Sequence, residues 1–359
     1  MARIDLFASC HPHTIPVRNA PMAALRGETT QGYQIGSTYQ RGADQLAQHV
    51  APDIGVVDGN LSASERTGYA YSQAGEHYAA YADGASDQLF DFDGIHAYAD
   101  GCVWKRLDGA LRNLRETGAR SVTILDAGCG PGTWLRRMVT RASELGFTEI
   151  TAHGFDIARA QIRRARFLAH DLCQLPGIRM NFDVADLTAR FPEADGGVDI
   201  TLCLYSVLSH LPVDRMPEVA AEIARVTSGT FIATVRPIGS QPTAFVDSIE
   251  KVRHFERDAA TDQFEIEMND GRHLVFGAHL FSASELRRLF SEHFMLGEVS
   301  GLDLFHSRFA PDRRLNPTSL LVDDFLLEHL TRLEESFSTN AAFLERATHL
   351  LLVGHRRQG

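Results

Sequence analysis

The sequence predicts an α/β fold in which a mostly parallel sheet carries helices on both faces. Three observations predict it. Short apolar runs of strand length alternate with amphipathic helical stretches from Ser121 to Val235, the order that builds parallel sheets. The first of those strands runs straight into a turn with glycine at alternate positions, Gly128, Gly130 and Gly132. The chain has 359 residues, 44% of them hydrophobic, enough for one large core with additions to it.

Taken in order, residues 1–60 show no sustained periodicity and hold several Gly, Pro and polar clusters, so an irregular N-terminal extension is expected. Residues 61–120 read as helical. The stretch from Ala63 to about Tyr81 is rich in tyrosine, with Tyr69, Tyr71, Tyr78 and Tyr81. The stretch Ala97 to Thr117 spaces Val103, Leu107, Leu111 and Leu114 along one face. The core is expected over residues 121–236. Val122–Leu125 is its first strand, and Leu135, Met138, Val139, Ala142 and Leu145 stripe the helix that follows. Next come a strand at Ile150–Phe155, a helix at Ala158–His170, and strands at Arg179–Val184 and Ile200–Tyr205. Met216, Val219, Ala220, Ile223 and Val226 mark a further helix, and Phe231–Val235 a fifth strand.

The pattern changes over residues 237–347, which read as an inserted cap with late sheet strands. Phe264, Ile266 and Met268 alternate with polar residues up to Asn269-Asp270-Gly271, and Leu274–Phe276 follow, which predicts a hairpin. Ser282–Phe290 is a helix that Ser282 or Ser284 can cap, and Thr318–Phe337 is a second, amphipathic one. Residues 348–359 hold a final apolar strand, His349–Gly354, expected at an edge of the sheet.

Composition excludes several classes. A net charge of −11 argues against nucleic acid as the partner, since phosphate binding depends on a basic surface. No apolar run approaches the length of a membrane span, and the N-terminus has no secretion-signal pattern. The five cysteines are scattered and never spaced C-x-x-C, which fits a reducing cytoplasm without disulfides or structural zinc. Cys10-His-Pro-His13 has no complementary ligand pair, so no metal is expected. Lysine occurs only at 105 and 251, and with the abundant alanine this suggests a GC-rich bacterial source.

The chemistry gathers at Ile124-Leu-Asp126-Ala-Gly128-Cys-Gly130-Pro-Gly132-Thr133. A buried strand ends in an acid, turns through three glycines and enters a helix. Glycine permits close approach and positive φ, and a helix start presents N–H groups to an anionic ligand group. The dinucleotide fingerprint would need glycine at 133, where Thr133 stands. No G-x-S-x-G elbow and no G-x-x-x-x-G-K-[ST] loop occurs.

The D-x-G-C-G-P-G run resembles the first motif of the class I S-adenosylmethionine-dependent methyltransferases. That resemblance implies a Rossmann-like, seven-stranded sheet with a helical N-terminal extension, an inserted cap, and S-adenosylmethionine as cofactor. It covers about Ser121 to Val235, and it makes Asp126, Gly128, Gly130 and Gly132 the loop around the methionine part. Asp156, followed by Ile157, then accepts the ribose hydroxyls, although an N-cap for the next helix is its bland alternative. Asp186, with Leu187, implies an adenine contact, and Asp183 competes for that place. Leu204 and Tyr205 are expected near adenosine or the methyl. His210 is the candidate proton acceptor, or else a histidine that orients its loop. Tyr81 and the tyrosine cluster are expected to fold over the cofactor. Trp134 either leans on the sulfonium or packs on the sheet. Arg236 is placed to meet an acceptor carboxylate or to form a sheet-edge ion pair.

The function expected is in-line methyl transfer to a small-molecule acceptor, amino-acid-like or a specialised metabolite. One alternative is an enzyme of the same fold that cyclises the cofactor to azetidine-2-carboxylate and methylthioadenosine. Another is a non-catalytic, methyltransferase-like partner subunit, against which the intact glycine loop and both acids speak.

Overall fold

The computed structural model describes residues 66–68, 89–92, 96–240, 252–258, 260–271, 273–309 and 324–357. The 1–60 extension and Tyr69, Tyr71, Tyr78 and Tyr81 lie outside the described residues.

Helix α1, Ala97–Glu116, buries Val103, Leu107 and Leu111 of the predicted stripe, with Leu114 partly buried, and ends before Gly118, whose φ is +90°. Strand β1 (Ser121–Ala127) pairs in parallel with β2 (Glu149–Asp156) and with β4 (Val198–Cys203). Strand β3 (Ile178–Val184) extends the sheet beyond β2, and β5 (Thr227–Val235) extends it beyond β4. Between them run α2 (Thr133–Glu144), α3 (Arg159–Leu168) and α4 (Met216–Val226).

Side chains alternate across each strand, and the two faces bury separate cores. Ile124, Ile150, Ala152, Met180, Phe182 and Ile200 pack under α1, α2 and α3. Leu125, Phe155, Val198, Phe231 and Ala233 pack on the other face against α4 and on Leu286 and Phe290 of α5 (Ala283–Ser291). A capping box begins α5: Glu285 N–H donates to the Ser282 hydroxyl at 3.1 Å, and Ser282 N–H to the Glu285 carboxylate at 3.4 Å. Of the two serines proposed as the cap, Ser282 fills it.

After β5 the insertion builds an antiparallel sheet of β6 (Val252–Asp258), β7 (Gln263–Met268) and β8 (His273–Gly277). The predicted hairpin is β7–β8, turned at Gly271 with φ +86°. Phe264, Ile266, Met268, Leu274 and Ala278 form its own small core. Strands β9 (Phe294–Leu296) and β10 (Ser300–Leu302) return to the main sheet, followed by a short helix α6 (His306–Phe309). Helix α7 is described over Asp324–Phe337, the C-terminal part of the helix expected from Thr318.

Strand β11 (His349–Arg356) corrects the expectation of an edge strand. The order is β10-β11-β5-β4-β1-β2-β3, a seven-strand path, with β9 as a short eighth strand also on β11. Antiparallel β11 thus lies inside the sheet, β5 along one side and β9 and β10 sharing the other. Its apolar residues explain the placement: Leu350 and Leu352 are buried in one core and Leu351 in the other, the double burial of an interior strand. Among the described residues no helix is long and apolar enough to cross a membrane.

Candidate functional site

The carboxyl ends of parallel strands are where an open α/β sheet binds ligands, and here they gather the residues singled out from the sequence. Asp126 ends β1, Asp156 ends β2, and Tyr205 follows β4.

The three loop glycines have φ of +81°, +51° and +76°, the left-handed region that favours glycine. Their surroundings differ. A Cβ on Gly128 would stand 2.5 Å from the Val207 methyls, and one on Gly132 2.7 Å from the Phe182 ring. These two glycines are required by packing within the protein. Among the described residues nothing lies within 4 Å of that position on Gly130, so it is the glycine whose face is open to a ligand.

Asp156 ties the loop together. One of its oxygens accepts Gly130 N–H at 2.9 Å and the other Ala158 N–H at 2.8 Å. The second bond lies at the start of α3, so the bland reading is present. It does not exclude the other, because a carboxylate has about four acceptor sites and can take two hydroxyls besides. Ile157 beside it is covered by the 66–68 segment: a Cβ on Gly68 would meet Ile157 Cγ1 at 3.3 Å.

Asp126 is 2% exposed, and its Oδ2 has no hydrogen-bond partner among the described residues. Burial, then the charge of Asp156, raises its carboxyl to about 8. Burial also raises Asp156, against the pull of the backbone N–H groups it accepts. A buried acid without a partner next to a second acid is costly unless a cation joins them. Thr133 at the start of α2 likewise has a buried Oγ1 without a partner among the described residues. These features fit S-adenosylmethionine, which carries a sulfonium, an ammonium and a carboxylate. Asp126 would hold the positive groups and the start of α2 the carboxylate, with Gly130 leaving room for both.

Beyond β3, the Asp186 carboxylate accepts both the N–H (2.8 Å) and the hydroxyl (2.9 Å) of Thr188, which shapes the turn there. Asp183 is turned away, towards His153 at 3.2 Å and Arg166 at 3.3 Å. Leu187 and Leu204 are buried in the two cores, at 6% and 4% exposure.

After β4 the chain takes two consecutive non-glycine residues through the left-handed region, Tyr205 (φ +54°) and Ser206 (φ +71°), at about 1–2 kcal/mol each. Thr234 of β5 holds this corner: its hydroxyl accepts Tyr205 N–H at 2.6 Å and its carbonyl accepts Ser206 N–H at 3.0 Å. The Tyr205 ring stacks on Trp134 at 5.8 Å and meets the His349 ring edge-on at 5.4 Å. Its hydroxyl donates to the carboxylate of Asp100, which is 3% exposed. Trp134 is a packing residue: it also stacks on Phe92 at 6.3 Å, and the Arg137 guanidinium lies 4.5 Å from its ring.

His210 is a tether between the β4 loop and the cap sheet. Its Nδ1 lies 2.7 Å from the Gly277 carbonyl at the end of β8, and the nearby His279 N–H donates to Ser209 O at 2.7 Å. Desolvation lowers the His210 imidazole to about 4, with Arg236 adding to the fall and the carbonyl opposing it. Asp100 and His349 were not found from the sequence. Asp100 reads there as an ordinary first-turn acid, and His349 as the polar start of an apolar strand.

Residues 124–229 match the family described as a methyltransferase domain. No curated protein matches the chain. Among solved structures, magnesium protoporphyrin IX methyltransferase from Synechocystis PCC 6803 with bound S-adenosylhomocysteine is 13% identical, covering 82% of this chain and 100% of its own, with a TM-score of 0.47. Geranyl diphosphate C-methyltransferase from Streptomyces coelicolor A3(2) is 16% identical, covering 67% of this chain and 72% of its own, with a TM-score of 0.39. The PH0226 protein from Pyrococcus horikoshii OT3 is 15% identical, covering 71% and 91%, with a TM-score of 0.41. Likenesses of this order bear on neither substrate nor site.

Proposed function

We propose that the chain, whose residues 124–229 match a family described as a methyltransferase domain, is a class I S-adenosylmethionine-dependent methyltransferase that methylates a small-molecule acceptor held beside Tyr205. The observation that carries this reading is the pair of acids, Asp126 and Asp156, around the open face of Gly130. S-Adenosylmethionine, when bound, supplies a methyl on sulfur together with a good leaving group. The protein's part is then approach geometry, exclusion of water and removal of a proton where the acceptor has one to lose. Asp156 takes the ribose hydroxyls, Asp126 the positive end and Asp186 the adenine side. Leu187 and Leu204 shape the floor below.

Tyr205 is the catalytic candidate. Its hydroxyl already donates to Asp100, so it can accept a proton from the acceptor while passing its own to that carboxylate. His210 serves position: an imidazole lowered to about 4 and bound to Gly277 is a poor base at neutral pH.

The test is calorimetric titration with S-adenosylmethionine, then mass spectrometry after incubation with a metabolite extract. Binding together with S-adenosylhomocysteine formed only in the extract is the expected result. Methylthioadenosine formed without any acceptor means a different carbon–sulfur bond has broken, and it overturns methyl transfer. No binding overturns the cofactor assignment as well.

A further inference from the structure

One face of α2 buries two arginines side by side. Thr133, Arg136, Arg137 and Thr140 lie three or four residues apart along the helix, which makes them neighbours on one side of it. Arg136 is 3% exposed and Arg137 5%. Nε and Nη1 of Arg136, Nη1 of Arg137 and the hydroxyls of Thr133 and Thr140 are all buried with no hydrogen-bond partner among the described residues. The acids on the two adjoining helices are engaged elsewhere. Glu144, at the end of α2, pairs with Arg141 at 2.7 Å, and Asp108 of α1 holds Arg112 at 2.6 Å and Arg141 at 2.7 Å. Burial, and then the charge of Arg137, pulls the Arg136 guanidinium below its ordinary value, yet an arginine stays charged at neutral pH. A buried guanidinium with N–H groups unspent is costly until an anion joins it.

This face adjoins the Tyr205 corner. The Arg137 guanidinium lies 4.8 Å from the Phe92 ring and 4.5 Å from the Trp134 ring, and its Nε donates to Leu89 O at 2.6 Å. Trp134 in turn stacks on Tyr205 at 5.8 Å. The guanidinium therefore stands no farther from the Tyr205 ring than those two separations together, a reach that suits a small molecule. The single carboxylate of S-adenosylmethionine, set at the start of α2, matches one positive charge and leaves the second arginine unmatched.

We propose that Arg136 and Arg137 form an anion subsite on the flank of α2, and that the acceptor carries a carboxylate or phosphate seated there with its methylated atom towards Tyr205. This rests on the reading of the Tyr205 corner as the acceptor side. Nε and Nη1 of Arg136 and Nη1 of Arg137 are the donors left for its oxygens, a charge-assisted set. The separation of the arginines from Tyr205 then sets which atom of the acceptor reaches the methyl.

The experiment titrates two probes, benzoate and inorganic phosphate, into the protein saturated with S-adenosylhomocysteine, by calorimetry and by thermal melting. Saturable binding of at least one probe at millimolar concentration, with a rise in melting temperature, is expected. Benzoate alone would mark a carboxylate acceptor, and phosphate alone a phosphorylated one. Arg136→Met should weaken probe binding at least tenfold, and without probe it should melt no lower than wild type, because a charge without a partner has been removed. Arg136→Lys should retain part of the binding. The inference is overturned if neither probe binds, or if Arg136→Met binds as wild type does. It is equally overturned if that variant without probe melts several degrees lower, since the guanidinium would then have its acceptor within the protein. S-Adenosylhomocysteine and methylthioadenosine, which lacks the amino-acid end, are titrated into the same variant. A tenfold loss for the first alone would assign Arg136 to the cofactor's own carboxylate and overturn the acceptor subsite. Failure of S-adenosylhomocysteine to bind wild type counts against the cofactor assignment, and the probes are then judged by the same criteria on the free protein.

Discussion

Asp126 is an acid lifted to about 8 by burial and by Asp156, and on the proposed reading it faces the positive end of the cofactor. At pH 7 in the free protein only about one carboxyl in eleven is ionised. A sulfonium and an ammonium beside it favour the ionised form, so binding S-adenosylmethionine expels a proton. The apparent dissociation constant scales with the inverse of the ionised fraction, and it falls about ninefold between pH 6 and 7. The ligand's own amino group titrates near 8, as α-amino groups do, so the slope is read between pH 6 and 7.5. Calorimetry in two buffers of different ionisation enthalpy should report about 0.9 protons released at pH 7. Asp126→Asn should bind with little pH dependence. A wild-type affinity that is flat over this window, or a slope that survives in Asp126→Asn, refutes the reasoning. The free protein shows the opposite sign. An acid raised in the folded state adds stability that is full below the ordinary carboxylate range and is lost as pH rises towards about 8. The melting temperature without ligand should therefore fall from pH 5 to 8, and Asp126→Asn should remove most of that fall.

Gly130→Ala should fold with a loss of only about 1–2 kcal/mol from its left-handed φ, yet lose cofactor affinity, because a methyl there meets only the ligand. Gly132→Ala should instead lower the melting temperature strongly, since its methyl strikes the Phe182 ring; thermal melts and titrations of the two variants separate the cases. Asp156→Ala should weaken S-adenosylmethionine binding at least tenfold by calorimetry, through the lost hydroxyl contacts and through release of Gly130 N–H. Glu334→Ala should cost about 2–4 kcal/mol in denaturant unfolding, with faster amide exchange at Leu304, Phe305 and His306, because this fully buried carboxylate is their acceptor.

Particular residues show what the sequence discloses and what it withholds. Strands β1, β4 and β5 are legible because they are buried on both faces and read as apolar runs, and β3, at the edge, because Ile178, Met180 and Phe182 alternate with exposed Arg179, Asn181 and Asp183. The helices between them are legible from one-sided stripes such as Leu135, Met138 and Ala142. Strand β6, VRHFERD, is hidden because its residues are largely charged, and among its described side chains Phe255 is the one packed on the small core. Strands β9 and β10 have three residues each, too few to show a period, and exist because β11 offers them a ladder. In the site, Asp126, Gly130 and Asp156 are legible from one local motif and one strand end. Asp100 and His349 are not, since their roles arise where α1 and β11 meet Tyr205, more than a hundred residues from either in sequence. The separate duties of the three glycines depend on Val207 and Phe182, which no spacing rule connects to them.

The position of β11 bears on how such a protein can diversify. Its partner β5 ends at Val235 and β11 begins at His349, so the β6–β8 sheet lies within a connection whose two ends are one pair of interior strands. Closing a loop becomes only slightly harder with length, about 0.6 kcal/mol for each doubling. Segments can therefore be gained or lost between those strands at small thermodynamic expense, while Asp126, Gly130 and Asp156 lie on the far side of β4 and are left alone. The architecture divides the molecule into a part free to drift in length and a part that must stay as it is, and Arg236 and His349 are the two gateposts of the variable part.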